Sequence, residues 1–347
     1  MRLMTTDVWF RSRRDLNFPS VFRNHQGTLF LAFTIGTHGQ DERWVAVMSE
    51  DEGSTWLPDT NPILYGSALP WMTRPYPLAG HPKMRVVGPL RDGSWLGYSN
   101  TEGEWSPQLR TYRSYDDGQA WTEEFWALGG LGLDRRLFPF GSLVEEEDGT
   151  LLVPLYGYQG PYFTPGSYET WVGAVRPGEM WVHPRGRVAH GAGQGWAEGP
   201  CEPALVRYPD GRMICVMRTS GQHDPLIQCD SRDGGQTWSD PAILDTEGVA
   251  PLAVQLPDRG PTMLVYGRRT GDHDGVVLRL STDEGQHWSD SVWVYEGVGC
   301  NYANALVDGA DRVTVLYAAS HFTYTPAGRP QFRPEGWNEV RATQVTL

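Results

Sequence analysis

Paired cysteine motifs, long apolar runs and an excess of positive charge are all missing from this sequence. The four cysteines, Cys201, Cys215, Cys229 and Cys300, form no Cys-x-x-Cys pair, which argues against a zinc knuckle. The histidines show no metal-site spacing either, so neither metal nor cofactor is expected. No run of about 18 apolar residues occurs, so no transmembrane helix is expected. Met1–Phe10 lacks the apolar stretch of a secretory leader. The expected location is cytoplasmic, or secreted if a leader has been removed. Lys and Arg number 29 against 42 Asp and Glu, a net charge of −13. That balance argues against nucleic acid as a partner, since phosphate backbones are bound by basic patches.

What is present is a turn-rich, aromatic chain. Hydrophobic residues make up 39% of the 347, with 15 Trp and 15 Tyr, enough for a core. The 41 Gly and 26 Pro point to many turns and few helices. One pattern, S-x-D-x-G-x-x-W, occurs four times: SEDEGSTW from Ser49, SYDDGQAW from Ser114, SRDGGQTW from Ser231 and STDEGQHW from Ser281. The second gap, 117 residues (231−114), is about two periods, so a degenerate copy is expected inside it. The pattern reads as a hairpin stabiliser. Its Asp accepts hydrogen bonds from backbone N–H groups of the turn, its Gly supplies positive φ, and its Trp covers the turn. Asp51, Asp116, Asp233 and Asp283 are therefore structural.

A second turn recurs upstream of these boxes, at His25–Gly27, Asp92-Gly93, Asp148-Gly149, Asp210-Gly211 and Asp308–Asp311. Apolar runs flank each one: LFLAF, WLGY, LLVPLY, MICVM and VTVLY, with MLVYG in the fifth unit. Six units result, beginning near Leu16, His81, Pro139, Gly199, Val249 and Cys300. Each reads strand, turn, strand, longer loop, strand, box, strand. The predicted fold is all-β: a single domain over 1–347, a six-bladed β-propeller of four-stranded antiparallel blades. Asp7–Arg11 is predicted to supply the outer strand of the last blade. Cys215 and Cys229 fall on neighbouring strands, where free buried thiols are favoured over a bond.

Successive turns of such a blade alternate between two faces, so the strand-one starts and the long loops share the face opposite the boxes. Polar residues gather there: Asn17, His38 and Asp41 from blade one, and Lys83 and Glu102 from blade two. Blade four adds Glu202, Arg218 and His223; blade five adds Arg268, Arg269 and His273; blade six adds Tyr302 and His321. Taken singly, each has a plain structural explanation. Taken together they form the expected rim of a small-ligand site.

The boxes on a six-unit repeat resemble the sialidase (neuraminidase) superfamily over essentially the whole chain. The segment Glu202–Arg218, E-P-A-L-V-x-x-P-D-G-x-x-x-x-x-x-R, resembles the one that supplies a catalytic Glu and one Arg of a three-arginine cluster. Tyr266-Gly267-Arg268 resembles the source of a second Arg, and Asn301-Tyr302-Ala303 the source of the nucleophilic Tyr. Asp41 stands where the family keeps its acid/base Asp. The family opens blade one with Tyr-Arg-Ile-Pro; here it reads Leu16-Asn17-Phe18-Pro19, so an uncharged donor replaces the third cation. Arg43, Lys83 and Arg269 are the cations available to compensate.

The resemblance implies a retaining exo-glycosidase acting on a terminal acidic sugar. Tyr302 would be the nucleophile, Glu202 its base and Asp41 the acid/base. Arg218, Arg268, Asn17, His38 and Lys83 would bind substrate. A neutral phenol also approaches an anionic sugar with less repulsion than a carboxylate. Trp44, Trp105, Tyr158 and Tyr162 are candidates to pack on sugar faces. The partner is a glycan. Two alternatives stay open: a glycosidase or uronate lyase acting on another polysaccharide, and a non-catalytic carbohydrate-binding propeller.

Overall fold

A computed structural model of the chain describes residues 1–36, 43–58, 85–87, 89–99, 108–118, 120–131, 135–160, 163–220, 225–269, 273–297, 299–319, 322–324, 330–332 and 337–347. The first strand, β1 (Arg2–Ser12), belongs to the last blade. Blade one is β2 (Leu16–Arg23), β3 (Leu29–Ile35), β4 (Arg43–Ser49) and β5 (Leu57–Pro58). Blade two is β6 (Arg85–Val87), β7 (Trp95–Ser99), β8 (Gln108–Ser114) and β9 (Thr122–Ala127). Blade three is β10 (Arg135–Pro139), β12 (Leu151–Gln159), β13 (Glu169–Val175) and β14 (His183–His190), with the short β11 (Val144–Glu145) also on β12. Blade four is β15 (Cys201–Arg207), β16 (Met213–Arg218), β17 (Leu226–Ser231) and β18 (Ala242–Asp245). Blade five is β19 (Val249–Gln255), β20 (Thr262–Arg268), β21 (Gly275–Ser281) and β22 (Val292–Glu296). Blade six is β23 (Gly299–Val307), β24 (Arg312–Ala319), β27 (Asn338–Thr346) and then β1; the small pair β25 (Phe322–Tyr324) and β26 (Pro330–Phe332) lies between β24 and β27 in sequence.

The fold class is the six-bladed β-propeller of antiparallel blades expected from the repeat, and Asp7–Arg11 lies in the outer strand of blade six, paired to β27. The chain divides into two compact units, Met1–Leu78 with Asp117–Ala120 and Leu256–Leu347, and Ala79–Asp116 with Trp121–Gln255. No helix among the described residues is long and apolar enough to cross a membrane.

Each blade's second strand is mainly apolar, and its middle is covered on both faces. Met213, Ile214, Cys215, Val216 and Met217 are all at 0% exposure. Each such side chain contributes about 1.5–3 kcal/mol when fully buried. In the second unit, β12, β16 and β17 share one core through Leu152, Met213, Cys215 and Ile227. In the first unit, Leu16, Leu31 and Phe33 pack with Leu316 and Val340. Cys215 and Cys229 face each other in the β16–β17 register as free, buried thiols, so the bond considered from sequence is not formed. Burial pushes both thiols up, Cys229 to about 12.

The four boxes join third to fourth strands, and their chemistry is visible in the box from Ser231. Asp233 accepts from Thr237 N–H at 2.9 Å, from the Thr237 hydroxyl at 2.6 Å and from Gln236 N–H at 3.0 Å. The Ser has its own role, which the pattern alone did not show. Ser231 Oγ donates to Asp233 at 2.9 Å and accepts from Gly235 N–H at 2.9 Å. Trp238 donates its indole N–H to Gly235 O at 3.0 Å, closing the turn. Two consecutive left-handed residues make the turn, Gly234 and Gly235 here and Glu284 and Gly285 in the last box. The degenerate copy is the tighter Arg176–Glu179 turn of blade three, where Glu179 N–H meets Arg176 O at 3.0 Å.

The Thr237 hydroxyl and amide, then Ser231, hold Asp233 down to about 2; Asp51 and Asp283 are lowered by the same kind of contacts. An unfolded Asp titrates near about 3.9. Between those values the unfolded chain binds more protons, so the stability these groups confer is present above about pH 4 and is lost as pH falls toward 2. Asp233→Asn is therefore expected to lower the urea midpoint at pH 7 while flattening its fall between pH 4 and pH 2. Equal slopes in variant and wild type would contradict this.

Candidate active site

The site-bearing strands begin with an irregularity. Phe18, Glu202 and Ala250 adopt φ of +53°, +51° and +47°, and each precedes a proline: Pro19, Pro203 and Pro251. A left-handed non-glycine residue costs about 1–3 kcal/mol, and a following proline disfavours helical backbone further. The pairing register jumps at the same places, between Asn17 and Ser20 and between Cys201 and Ala204. It also jumps between Gly299 and Ala303, across Tyr302. Glu202 and Tyr302 thus sit in corresponding breaks of their blades' first strands. Such bulges re-aim a side chain out of the pleat.

In the second unit the break delivers Glu202 against Arg218, at the end of β16. Arg218 Nε lies 2.7 Å from Glu202 Oε2, too oblique for a straight hydrogen bond, and Nη2 donates to Glu202 Oε1 at 3.4 Å. Arg218 Nη1 donates to Glu198 Oε2 at 2.7 Å. The three side chains are 2% (Glu202), 12% (Arg218) and 31% (Glu198) exposed, so the ion cluster is largely out of water. Cys201 donates its thiol to Glu198 Oε2 and Arg218 O, each at 3.7 Å, and burial holds it well above the usual thiol range. Glu198 is placed by backbone: its N–H donates to Thr219 O at 3.1 Å and its carbonyl accepts from Tyr168 N–H at 3.0 Å.

In the first unit Tyr302 is half-buried, its ring T-shaped against Phe18 with centroids 4.8 Å apart and the Arg269 guanidinium over it at 5.4 Å. Arg268, expected from sequence to bind substrate, lies over Trp293 at 5.8 Å. Asn17 is 4% exposed, and its amide donates to Gly36 O at 3.5 Å.

A sequence profile of the BNR repeat-like domain matches residues 89–315. The chain belongs to the BNR repeat-like family. No curated protein matches this BNR-repeat chain. Among solved structures, a Dyadobacter fermentans protein of unknown function is 19% identical with a TM-score of 0.71, covering 100% of this chain and 99% of that one. The GH93 α-L-arabinofuranosidase of Fusarium graminearum, solved with arabinobiose, is 14% identical with a TM-score of 0.62, covering 99% and 98%. A Hadza microbial sialidase is 16% identical with a TM-score of 0.61, covering 96% of this chain and 66% of the sialidase. At these identities what is shared is the fold, one on which glycoside hydrolases are built.

His38, Asp41, Lys83, Glu102, Trp105, Tyr162, His223 and His321 lie outside the described residues. Tyr158 is buried in an aromatic group with Phe163 and Tyr168, its hydroxyl accepting from Arg136 Nη1 at 3.2 Å. A cavity of about 450 Å³ in the second unit lies at the Asp148-Gly149 turn, lined by Glu146, Arg176, His183, Arg185 and Arg207 among others, and includes none of the expected site residues. Sequence reasoning missed Glu198. The available signal was a second carboxylate four residues before Glu202, in the segment Glu198-Gly199-Pro200-Cys201-Glu202.

Proposed function

We propose that this chain is a retaining exo-glycoside hydrolase. Tyr302 is the nucleophile, Glu202 the base that takes its proton, and Asp41 the acid/base. The observation that carries this is Glu202 itself: a carboxylate 2% exposed, on a strained positive-φ residue, turned onto a guanidinium. Burying a charge costs several kcal/mol unless it is paired, and strained backbone persists where surrounding structure enforces it. A fold gains nothing in stability from both at once, whereas a base fixed in direction and shielded from water suits proton transfer. Arg269 adds positive charge beside the phenol that must shed its proton.

In the first step the Tyr302 proton passes to Glu202. The phenol oxygen bonds to the anomeric carbon as the bond to the leaving oxygen breaks, and Asp41 protonates that oxygen. In the second, Asp41 takes a proton from water, the water oxygen attacks the same carbon, the tyrosyl bond breaks and Glu202 returns the proton. Arg218, Arg268, Asn17, His38 and Lys83 keep their assignment to substrate. The fold neighbours include a sialidase and an arabinofuranosidase, so this architecture carries both acidic and neutral sugars and does not choose between them.

The test is proton NMR of the first product formed from a panel of aryl glycosides. Retention of anomeric configuration is expected. Inversion, or no product from any member, would sink the reading.

A further inference from the structure

Glu198 has no part in that mechanism, yet it occupies the guanidinium on which the expectation of an acidic sugar depends. A guanidinium binds a carboxylate through two parallel N–H donors on one edge. In Arg218 the Nε and Nη2 edge faces Glu202, at 2.7 and 3.4 Å, and Nη1 is taken by Glu198 at 2.7 Å. Every nitrogen of the group already has a carboxylate oxygen against it. The formal charge of the three side chains together is minus one. A sugar carboxylate arriving here meets like charge in a setting with little water to screen it, and competes with Glu198 for Nη1.

We infer that Glu198 is a specificity-determining residue that turns the site away from carboxylated sugars and toward an uncharged terminal sugar. This rests on the proposal that Glu202 and Arg218 belong to the glycoside site. It modifies only the substrate's charge: the phenol remains a base-activated oxygen whichever sugar it attacks.

The test reads binding, so it is separate from turnover. Calorimetry compares N-acetylneuraminic acid with its methyl ester, and glucuronic acid with its methyl ester, on wild type, Glu198→Gln and Glu198→Ala. In each pair the ring is the same and only the charge differs. Wild type is expected to bind at least one ester tenfold or more tightly than its acid. Both variants are expected to close or reverse that ratio by tenfold or more. Thermal melts of the variants check the fold, and Gln keeps the shape of the side chain where Ala does not. Three results overturn the inference: both acids bound by wild type as well as their esters, a ratio unmoved in both variants, or no binding of any probe to any of the three proteins. A chain that binds as expected but turns over no glycoside would keep the inference and lose only the hydrolase assignment.

Discussion

Glu202→Gln is expected to lower kcat by about 10²–10⁴-fold, the range for removing a positioned general base. Gln keeps the volume and one acceptor oxygen, so Arg218 retains an amide partner on one edge and Glu198 on Nη1. That choice matters. Truncating one member of a buried ion pair strands the other and costs about 3–5 kcal/mol, which would confuse instability with lost chemistry. With the fold kept, the loss should fall on kcat more than on KM, because the base acts as the nucleophile forms and not when the sugar is bound. Steady-state kinetics and a thermal melt on the same preparation decide the matter. A kcat within threefold of wild type would assign Glu202 to structure alone.

Gly141→Ala is the second large effect, this time on stability. Gly141 has φ +82°, and a Cβ placed there would stand 2.1 Å from the Pro203 carbonyl oxygen. The obstacle is backbone, so no rotamer change relieves it. Left-handed backbone costs an alanine about 1–2 kcal/mol and forced overpacking about 1–3 more, for a total of about 2–5 kcal/mol. Gly211 provides the control, since its φ is +85° but nothing lies within 4 Å of its would-be Cβ. Gly211→Ala should cost only the backbone part. Pro203 follows Glu202, so any shift that admits the new methyl also reaches the base, and activity should fall with stability at position 141 only. Urea denaturation midpoints that fall equally for the two variants would deny the close approach its importance.

The repeat made the architecture legible because each box carries its own stabilising chemistry. Ser, Asp, Gly and Trp satisfy one another within eight residues, as the Ser231–Trp238 contacts show, so the local sequence is enough to place the turn. First-strand starts at Leu16 and Val249 follow from the same spacing. The site was legible by residue type and less so by direction. Arg268 ends β20 and Arg269 follows it, so residue type alone does not say which turns to Tyr302; the contact of Arg269 with that ring does. Glu198 was harder still, since its loop is held by bonds to Thr219 and Tyr168, residues distant in sequence. The left-handed residues before Pro19, Pro203 and Pro251 run against local preference, because a proline pushes its predecessor toward extended backbone. Positions where tertiary structure overrides a local rule are where function is expected to be found.

The pairing of Tyr302 with Glu202 is best tested by a double-mutant cycle. The rates of wild type, Tyr302→Phe, Glu202→Gln and the double variant are measured on the preferred aryl glycoside. If the carboxylate acts only by taking the phenol's proton, removing it from a protein that already lacks the phenol costs almost nothing. Each single variant should be slower by about 10²–10⁴-fold, and the double variant should lie within about threefold of the slower single. A double variant whose loss equals the product of the two single losses would show two residues acting independently, and would contradict the mechanism.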